Sequence, residues 1–492
     1  MRKTKIIATI GPASQIPEVF EKMVDAGLNV ARLNMSHGSY EEHKGKIDLI
    51  KRTNDKLGTN IAIMLDTKGP EIRLGDFSED TILLIEGNTF TLTTKEIIGN
   101  EQISYVTYKK IVKDVKKGTK ILLNDGLVML RVEKVKKDSV ECIVENTGII
   151  KSKKSVNIPG LKLSLDFMND KDREDIKFGV DNDIDYIAAS FVRRKEDIAE
   201  LREYVDSIGG ENIKIIAKIE NQEGVENIEE ILEIADGLMV ARGDMGVEVA
   251  IQELPIIQKS MIKKCIAEGK IVITATQMLE SMVNNPRPTR AEVSDVANAI
   301  YDGTSCIMLS AESATGKYPV ECIEMMGKIA EETERNIDYW NRFKKRNVEK
   351  LGAYVEGKQE KVKTKAQDIF RKQINFSVCS SAMFTEAKAI ICISDFGKTP
   401  AVLSGYRPNC PIYVVTSNIK TYMQLAMQWG IQAVFVEDEN DFDNLLNSGI
   451  DILIREKAIK KGDIVILSGG TSKESEAGNY LSSQTMGAVI RI

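Results

Sequence analysis

Two short polar clusters of this chain combine residue types that can bind a metal and stabilise negative charge. Lys218-Ile219-Glu220-Asn221 and Arg242-Gly243-Asp244 each follow a run of apolar residues. If these runs are neighbouring parallel strands, Glu220 and Asp244 meet at one edge of a sheet. Two such carboxylates suit Mg²⁺ or Mn²⁺, which prefer oxygen ligands, and Lys218 would offer a fixed cation to an oxyanion or enolate. The alternative is that Asp244 only caps a helix and Glu220 only pairs with Lys218.

The composition limits which metal sites, catalytic groups and partners are compatible with the chain. Only two of the 492 residues are histidines, His37 and His43, which disfavours a His-rich zinc site and a histidine acid–base relay. The seven cysteines include no Cys-x-x-Cys pair and are typical of reduced, buried thiols in a cytoplasmic protein. A net charge of −6 favours neither nucleic acid nor an anionic membrane as a partner. The apolar stretches are also far too short for a membrane-spanning helix.

A second group of oxygen donors lies in two segments that follow other apolar runs, Arg32–Gly38 and Asp66–Arg73. Hard-oxygen donors of this kind suit a monovalent cation beside a phosphate, and the candidates are Asn34, Ser36, Asp66 and Thr67. The guanidinium groups of Arg32 and Arg73 suit bidentate phosphate contacts. Taken singly, each residue is better explained by loop capping or turn chemistry, and it is the grouping of four oxygen donors and two arginines that favours an ion and phosphate site.

Thr276 and the segment Ser394–Thr399 are candidates with weaker signals. Thr276 follows the seventh apolar run and could bind a carboxylate, relay a proton through water, or simply cap a helix. Ser394, Lys398 and Thr399 lie between a predicted strand and a helix, where backbone N–H groups can hold a phosphate. The full P-loop pattern fails because Cys392 stands where that motif needs a glycine. A plain turn is therefore the alternative for this segment.

The apolar runs themselves predict the architecture that must position these residues. They are apolar throughout, as expected for strands buried on both faces, and helical patterns lie between most of them. Eight such units predict a (β/α)8 TIM barrel in the α/β class. The predicted strands are Lys5–Ile10, Asn29–Leu33, Asn60–Leu65, Asp185–Ala189, Ile213–Ile219, Gly237–Val240, Ile271–Ala275 and Cys306–Leu309.

Two regions do not follow the strand–helix alternation of the barrel. After the third strand the residue pattern changes to alternating Thr, Val and Ile, and Asn124-Asp125-Gly126 is a strong hairpin signal. We expect a small inserted β-barrel domain that acts as a lid and excludes water. The charge-rich Trp340–Lys365 segment predicts a helix end and a linker before a C-terminal three-layer α/β domain. The predicted divisions are residues 1–70 and 168–345 for the barrel, 71–167 for the lid and 346–492 for a regulatory domain.

Seven stretches, in order along the predicted barrel, together resemble the pyruvate kinase family. They are Thr9–Ser14, Arg32–Gly38, Leu65–Arg73, Ser190–Arg193, Lys218–Asn221, Ala241–Asp244 and Ala275–Met282. The predicted inserted and C-terminal domains also resemble the architecture of that family. The resemblance implies transfer of a phosphoryl group from phosphoenolpyruvate to ADP, which gives pyruvate and ATP in the last step of glycolysis. It also implies a cytoplasmic homotetramer with a possible sugar-phosphate effector.

The resemblance assigns roles to individual residues. The implied catalytic residues are Lys218, Arg32 and Thr276, and the implied substrate-binding residues are Arg32, Lys218, Gly243, Asp244 and Thr276. Mg²⁺ (or Mn²⁺) would be held by Glu220 and Asp244, and K⁺ by Asn34, Ser36, Asp66 and Thr67. Glu71 occupies a position typical of K⁺-dependent members. The nucleotide would contact Asn34, His37, Arg73, Lys154 and Lys171, and the effector phosphate would contact Ser394, Lys398 and Thr399.

Two other functional classes are compatible with parts of this pattern. A Mg²⁺-dependent lyase or aldolase acting on a pyruvate enolate would use a similar Glu/Asp pair. It would not need the alkali-ion donors or the phosphate-binding arginines. A non-catalytic sensor built on the C-terminal domain is disfavoured by the intact Lys218, Glu220, Asp244 and Thr276.

Overall fold

The structure, a computed structural model, describes residues 1–346, 366–437, 442–469 and 486–492. It opens with three parallel strands, β1 (Lys5–Thr9), β2 (Val30–Asn34) and β3 (Ala62–Asp66), joined by helices Pro17–Asp25 and Tyr40–Leu57. The second helix begins at a capping box made by Ser39 and Glu42. It ends at Gly58, whose φ of 64° is left-handed, a conformation that glycine adopts without steric cost.

A small all-β segment follows β3, as the alternating pattern predicts. Its strands are β4 (Thr81–Leu84), β5 (Thr89–Thr93), β6 (Ile103–Tyr105), β7 (Lys120–Leu123), β8 (Val128–Val135), β9 (Ser139–Val144), β10 (Gly148–Lys151) and β11 (Val156–Asn157), with a short helix Ile111–Asp114. They form a six-stranded sheet, β11-β7-β8-β9-β5-β6, and a two-stranded sheet, β10-β4, which share one apolar core. The predicted hairpin at Asn124–Gly126 joins antiparallel β7 and β8, and its three residues all have positive φ.

Five more strands complete a closed parallel barrel in the order β1-β16-β15-β14-β13-β12-β3-β2. They are β12 (Tyr186–Ala189), β13 (Lys214–Ile219), β14 (Gly237–Ala241), β15 (Ile271–Ala275) and β16 (Cys306–Leu309). The connecting helices are Asp170–Asp181, Lys195–Ser207, Gln222–Glu226, Ile228–Ile234, Arg242–Glu248, Leu254–Glu268, Arg290–Asp302, Ala311–Ala314 and Pro319–Arg335, with 3-10 turns at Ile251–Glu253 and Glu280–Val283. The predicted TIM barrel is thus confirmed.

Several strands extend one residue beyond their last apolar position. Asn34 ends β2 and Asp66 ends β3, and the two are partners in the ladder between these strands. The hydrogen-bond ladder therefore continues through polar residues that the apolar pattern leaves out. As a result, polar side chains are fixed on the strand ends themselves, which positions them more firmly than a loop would.

The C-terminal segment is a three-layer α/β unit, as predicted. Its sheet has the order β19-β18-β17-β20-β21, formed by β17 (Ala389–Ile393), β18 (Ile412–Thr416), β19 (Ile431–Phe435), β20 (Ile464–Gly469) and the antiparallel β21 (Met486–Arg491). Its helices are Ala366–Phe384, Lys398–Tyr406, Ile419–Gln424 and Phe442–Arg455, with a 3-10 turn at Leu425–Met427. Cys379 and Leu403 pack with Ile390 on one face, and Leu453 packs with Ile391 on the other. Most of the predicted linker, residues 347–365, lies outside the described residues.

The C-terminal segment contacts the end of the barrel at which the strands begin. Met427 joins the apolar cluster inside the barrel with Cys306, and the Cys306 thiol contacts the Met427 carbonyl at 3.2 Å. Lys420 pairs with Asp183 at 2.8 Å and with Asp185 at 3.2 Å. None of the helices in the described part of the chain is long and apolar enough to cross a membrane.

Lys5, at the start of β1, provides a test of this contact. Its Nζ donates to the Ile431 carbonyl at 2.6 Å. Burial, and next the charge of Arg2, lowers the pKa of Lys5 from 10.5 to about 8. The unfolded chain therefore binds this proton more tightly, so the contribution of Lys5 to stability grows as pH rises between those two values. We expect the unfolding free energy of the wild-type chain, relative to Lys5→Met, to increase over this range in urea titrations. A difference that does not change with pH would contradict the lowered pKa.

Candidate active site

The ammonium group of Lys218 is the centre of a buried polar network at the carboxyl ends of the barrel strands, a region called the rim below. Its Nζ lies 3.0 Å from Asp66 Oδ1, 3.0 Å from Glu220 Oε1 and 2.6 Å from Ser190 Oγ. Burial disfavours the charged form, but Asp66 and Glu220 outweigh it, so the pKa of Lys218 is raised. The side chain is therefore a permanent cation with a fixed position.

Asp66 holds two cations at once. Arg32 Nε donates to its Oδ2 at 2.6 Å, while Lys218 contacts Oδ1. Although burial opposes ionisation, Arg32 and then Lys218 lower the pKa of Asp66 below its usual value. Arg32 is fixed further by Thr9, whose hydroxyl accepts from Nη1 at 2.8 Å. The predicted phosphate-binding arginine and the predicted catalytic lysine thus share one ionised carboxylate.

Glu220 and Asp244 lie close enough for their charges to interact. Burial raises the pKa of Glu220 to about 7, and Asp244 raises it while Lys218 opposes the shift. Loss of hydration in the cleft, together with the charges of Glu71, Asp125 and Asp66, raises the pKa of Asp244. No three His, Cys, Asp or Glu side chains of the described residues cluster as a metal site. This pair of hard-oxygen donors fits Mg²⁺, which takes few protein carboxylates and completes its shell with water and substrate oxygens.

The turn after β15 is strained and is held by the neighbouring strand end. Thr276 and Gln277 have φ of 69° and 53°, which is unfavourable for non-glycine residues, above all β-branched ones. Arg242 clamps this turn, because its Nη2 donates to the Thr276 carbonyl at 2.6 Å and its Nε to the Ala275 carbonyl at 3.1 Å. The Gly243 N–H donates to Thr276 Oγ1 at 2.9 Å. The predicted substrate-binding residues Gly243 and Thr276 are therefore in direct contact.

The four predicted alkali-ion donors lie at the ends of β2 and β3. Asn34 and Asp66 are ladder partners, and Asn34 Oδ1 accepts from the Ser36 N–H at 3.1 Å. Thr67 Oγ1 accepts from the Ser190 N–H at 3.1 Å. The strand ends thus place the four donors in the same part of the rim, next to the network of Lys218.

A separate recess beside the rim is lined by two of the five predicted nucleotide-binding residues. His37 and Arg73 line it together with Lys68 and Lys153. Arg73 is fixed by Glu71, with Nη2 2.7 Å from Oε2, and its Nη1 donates to the Lys153 carbonyl at 2.8 Å.

The two predicted nucleotide-binding lysines, Lys154 and Lys171, do not line this recess. The recess lining includes Lys153 rather than Lys154. Lys171 donates to the Tyr40 hydroxyl at 2.7 Å and pairs with Asp175. A sequence pattern of consecutive lysines carries no information about which one faces the recess, because this depends on the local backbone turn, where Lys153 has a φ of 61°.

A cleft opens between the rim and the inserted sheets. Asp244 and Phe191 line its barrel side, and Asn157 and Leu161 line its inserted side. Across it, Asn157 Nδ2 donates to Glu248 Oε1 at 2.9 Å. Substrate bound at Asp244 would therefore be covered by the inserted domain.

The segment Ser394–Thr399 connects β17 to the helix Lys398–Tyr406. Ser394 Oγ accepts from the Gly397 N–H at 3.1 Å, and the Lys398 side chain is exposed. Asp395 ties this loop to the next strand end, since its carboxylate accepts from the Ser417 N–H at 3.2 Å. The Asp395 carbonyl accepts from Thr421 Oγ1 at 2.6 Å. The loop is thus linked to the segment that reaches the barrel at Met427.

Ser190, Thr9 and Phe191 belong to the site network but received no role from sequence reasoning. Ser190 bridges Lys218 and the Thr67 carbonyl, with its Oγ 2.6 Å from each. The Phe191 N–H donates to Glu220 Oε2 at 2.6 Å, with Phe191 at φ 57°. Their position directly after β12, equivalent to that of the other site residues after their strands, is the signal that could have identified Ser190 and Phe191.

Comparisons with known proteins agree with this arrangement. The family models described as pyruvate kinase, barrel domain, and pyruvate kinase, alpha/beta domain, match residues 1–323 and 372–482. A pyruvate kinase from Clostridium acetobutylicum is 46% identical over 471 residues, which cover 96% of each chain. One from Geobacillus stearothermophilus is 46% identical over 95% of this chain and 78% of its own length. A solved structure of a pyruvate kinase from Cryptosporidium parvum matches with a TM-score of 0.90 at 34% identity, covering 100% of this chain and 96% of that one.

The agreement extends from the closed barrel to the C-terminal sheet and covers nearly the whole chain. It includes the strand ends that carry Lys218, Glu220 and Asp244, which lie within the matched barrel domain. The chain therefore belongs to the pyruvate kinase family.

Proposed function

We propose that the rim performs the reaction of this family, in which the chain transfers the phosphoryl group of phosphoenolpyruvate to ADP and releases pyruvate and ATP. The observation that carries the assignment of the site is the fixed Lys218 ammonium between Asp66, Ser190 and Glu220. Phosphoryl transfer requires positioning and charge neutralisation more than a covalent nucleophile. The rim is rich in fixed charges, and the whole chain contains only two histidines, so the site suits that requirement.

Lys218 and Arg32 are proposed to act on the two ends of the bond that breaks. Lys218 stabilises the charge that develops on the enolate oxygen as the phosphoryl group leaves. Arg32 contacts the transferred phosphoryl group, since Asp66 and Thr9 fix its Nε and Nη1 and leave its remaining donors to face a ligand. Because both side chains share Asp66, their positions relative to each other are set before substrate binds.

Glu220 and Asp244 are proposed to hold Mg²⁺, or Mn²⁺ in its place. When bound, this ion supplies positive charge next to the phosphoryl and substrate oxygens. Asn34, Ser36, Asp66 and Thr67 are proposed to hold K⁺. The Phe191 N–H and Lys218 orient the Glu220 carboxylate, so its ligand position does not depend on the ion.

The Gly243–Thr276 contact is proposed to bind the substrate carboxylate. The Gly243 N–H and the Thr276 hydroxyl are two polar groups 2.9 Å apart at one point of the rim. Thr276 is also proposed to lie on the proton path that converts enolpyruvate to pyruvate. His37 and Arg73, with Lys154 and Lys171 as further candidates, are proposed to contact ADP.

A coupled assay tests this function directly. We expect purified protein to form pyruvate from phosphoenolpyruvate only when ADP and Mg²⁺ are present, and faster in K⁺ than in Na⁺ at equal ionic strength. If the protein formed no pyruvate under these conditions but cleaved a hydroxy acid, the lyase or aldolase assignment would replace this one. Replacing ADP by GDP in the same assay measures the nucleotide preference.

The loop Ser394–Thr399 is proposed to bind the phosphate of an effector, with Ser394, Lys398 and Thr399 as its contacts. Lys398 is exposed and lies outside the catalytic network. We expect Lys398→Ala to keep the basal rate within about twofold and to abolish activation by sugar phosphates, because one charged phosphate contact is lost. Rate measurements against effector concentration check this, with Lys388→Ala as the control. A lost basal rate in Lys398→Ala would reject the regulatory assignment.

We further propose that the chain is organised as barrel residues 1–70 and 168–345, lid residues 71–167 and regulatory residues 346–492. A homotetramer in the cytoplasm is the proposed state. Light scattering of the purified chain tests the assembly, and a monomer mass would reject it.

A further inference from the structure

The second histidine of the chain, His43, has no role in the reaction described above, yet its ring lies beside the rim. His43 belongs to the helix Tyr40–Leu57 and is only 1% exposed. Its Nε2 lies 2.8 Å from the carbonyl oxygen of His37. Because a carbonyl can only accept a hydrogen bond, Nε2 carries a proton and is the donor. The buried ring therefore holds the main chain of the segment that precedes its own helix.

The segment that His43 holds is a tight turn at the end of β2. The His37 N–H donates to the Asn34 carbonyl at 3.3 Å, which closes a four-residue turn, and the Ser36 N–H donates to Asn34 Oδ1 at 3.1 Å. Two of the proposed K⁺ ligands, Asn34 and Ser36, and the proposed ADP contact His37 belong to this turn. Their positions relative to the rest of the rim therefore depend on how the turn is fixed.

The turn is fixed near its two ends by different parts of the protein. Near its start, the Met35 N–H donates to the Asp66 carbonyl at 3.0 Å, which ties the turn to β3. At its end, the bond from His43 is the only hydrogen bond that reaches residues 36–38 from outside the turn in the described part of the chain. Gly38, with a φ of 89°, allows the chain to turn back onto the ring. Loss of the His43 bond would thus leave this end attached only through the chain itself.

The surroundings of His43 indicate a neutral ring that is kept for one hydrogen bond. Burial lowers the pKa of His43, and the bond to the His37 carbonyl opposes this effect only in part, so the ring is neutral at physiological pH. Its Nδ1 is then an acceptor, and it is buried without a partner among the described residues. An apolar side chain could fill this space without leaving an unpaired buried acceptor, which is unfavourable. The histidine is therefore better explained by its bond to the turn than by packing.

We propose that His43 is a positioning residue of the active site, which holds the His37 carbonyl so that the oxygens of Asn34 and Ser36 are in place for a monovalent cation. This role rests on the proposed function, because it acts on two of the proposed K⁺ ligands. His43 itself would contact neither the ion nor a substrate, and acts through the turn alone. Residues that orient metal ligands in this way commonly contribute to metal affinity nearly as much as the ligands do.

Substitutions at His43 can separate the hydrogen bond from the volume of the ring. Glutamine can place an N–H where Nε2 lies, whereas leucine fills the space without a donor. Tl⁺, a monovalent probe ion that NMR detects directly, is titrated into the full chain without substrates. We expect His43→Leu to weaken Tl⁺ binding at least about tenfold and His43→Gln to stay within about threefold of the wild-type chain. His43→Asn, whose amide is too short to reach the His37 carbonyl, should match His43→Leu and provides the same test if the leucine variant does not fold.

The matched control is Thr53→Val in the same helix. It removes a different buried hydrogen bond, from Thr53 Oγ1 to the Leu49 carbonyl at 2.9 Å, which has no contact with the turn. We expect Thr53→Val to leave Tl⁺ binding unchanged. Equal Tl⁺ affinities in His43→Leu and the wild-type chain would refute the role of His43, and so would equal losses in His43→Leu and Thr53→Val.

Kinetics provide a second readout that a general loss of stability would not reproduce. In His43→Leu, the K⁺ concentration for half the maximal rate should rise by the same factor as the Tl⁺ dissociation constant, with kcat at saturating K⁺ within about twofold of wild type. A wild-type chain that forms pyruvate but binds no Tl⁺ would reject the K⁺ site and this role of His43 together. A wild-type chain that forms no pyruvate, but whose Tl⁺ binding depends on His43, would reject the proposed reaction and leave the positioning role supported.

Discussion

Replacing Lys218 with methionine is expected to lower kcat by at least about 10²-fold while changing the apparent affinity for phosphoenolpyruvate little. Removing a preorganised group that stabilises charge only in the transition state costs rates of this size. Methionine fills a similar volume but cannot offset the charge that develops on the enolate oxygen. The raised pKa of Lys218 means that the wild-type side chain stays charged throughout the range of assay, so the loss should not depend on pH.

Steady-state kinetics with saturating ADP, Mg²⁺ and K⁺ measure this prediction. Lys214→Met is the matched control, since Lys214 lies on the same strand but at its other end, where it pairs with Asp236 at 3.4 Å. We expect the control to keep nearly full activity. Equal losses in kcat and in substrate affinity for Lys218→Met would show that Lys218 binds substrate without a special role in the transition state.

Replacing Glu220 with glutamine is expected to weaken Mn²⁺ binding by at least about 10²-fold and to reduce activity in parallel. Loss of a residue that only supports a ligand already costs about 10- to 100-fold in metal affinity, so loss of a charged ligand should cost no less. Glutamine has nearly the shape of the protonated carboxyl group that burial favours at this position. The fold should therefore survive the change, while the negative charge that attracts the ion is lost.

Mn²⁺ titrations followed by electron paramagnetic resonance measure this affinity without turnover. Glu226→Gln is the matched control, because Glu226 lines the same cleft on the next helix and contacts Gln222 rather than the Lys218 network. Asp244→Asn should behave like Glu220→Gln. Unchanged Mn²⁺ affinity in both variants would place the metal elsewhere and would remove the basis for the proposed roles of these two acids.

Local residue patterns were sufficient to predict the barrel and most of its strand ends. Strands such as Ile271–Ala275 and Cys306–Leu309 are predicted with their observed bounds because solidly apolar runs of this length form buried parallel strands. Parallel strands around a closed barrel must end at one rim, so the grouping of Lys218, Glu220 and Asp244 follows from their positions at the ends of predicted strands.

Partnerships within the rim could not be predicted in the same way. Nothing in the pattern shows that Ser190 bridges Lys218 and Thr67, or that Arg242 clamps the strained turn at Thr276. These contacts depend on strand order, on register and on rotamers that are chosen by packing. The partners are separated by 28 to 123 residues in the sequence, and this spacing gives no indication that they are in contact.

By itself, then, the order of residue types determined which elements form and which polar groups occupy their ends, because burial and backbone hydrogen bonding act on nearby residues. Only the tertiary structure decided that Asp66 binds Arg32 and Lys218 together and that Lys153 rather than Lys154 lines the recess. Those outcomes follow from closing the sheet and folding the inserted segment beside it, which bring together side chains whose mutual distance the local sequence does not restrict.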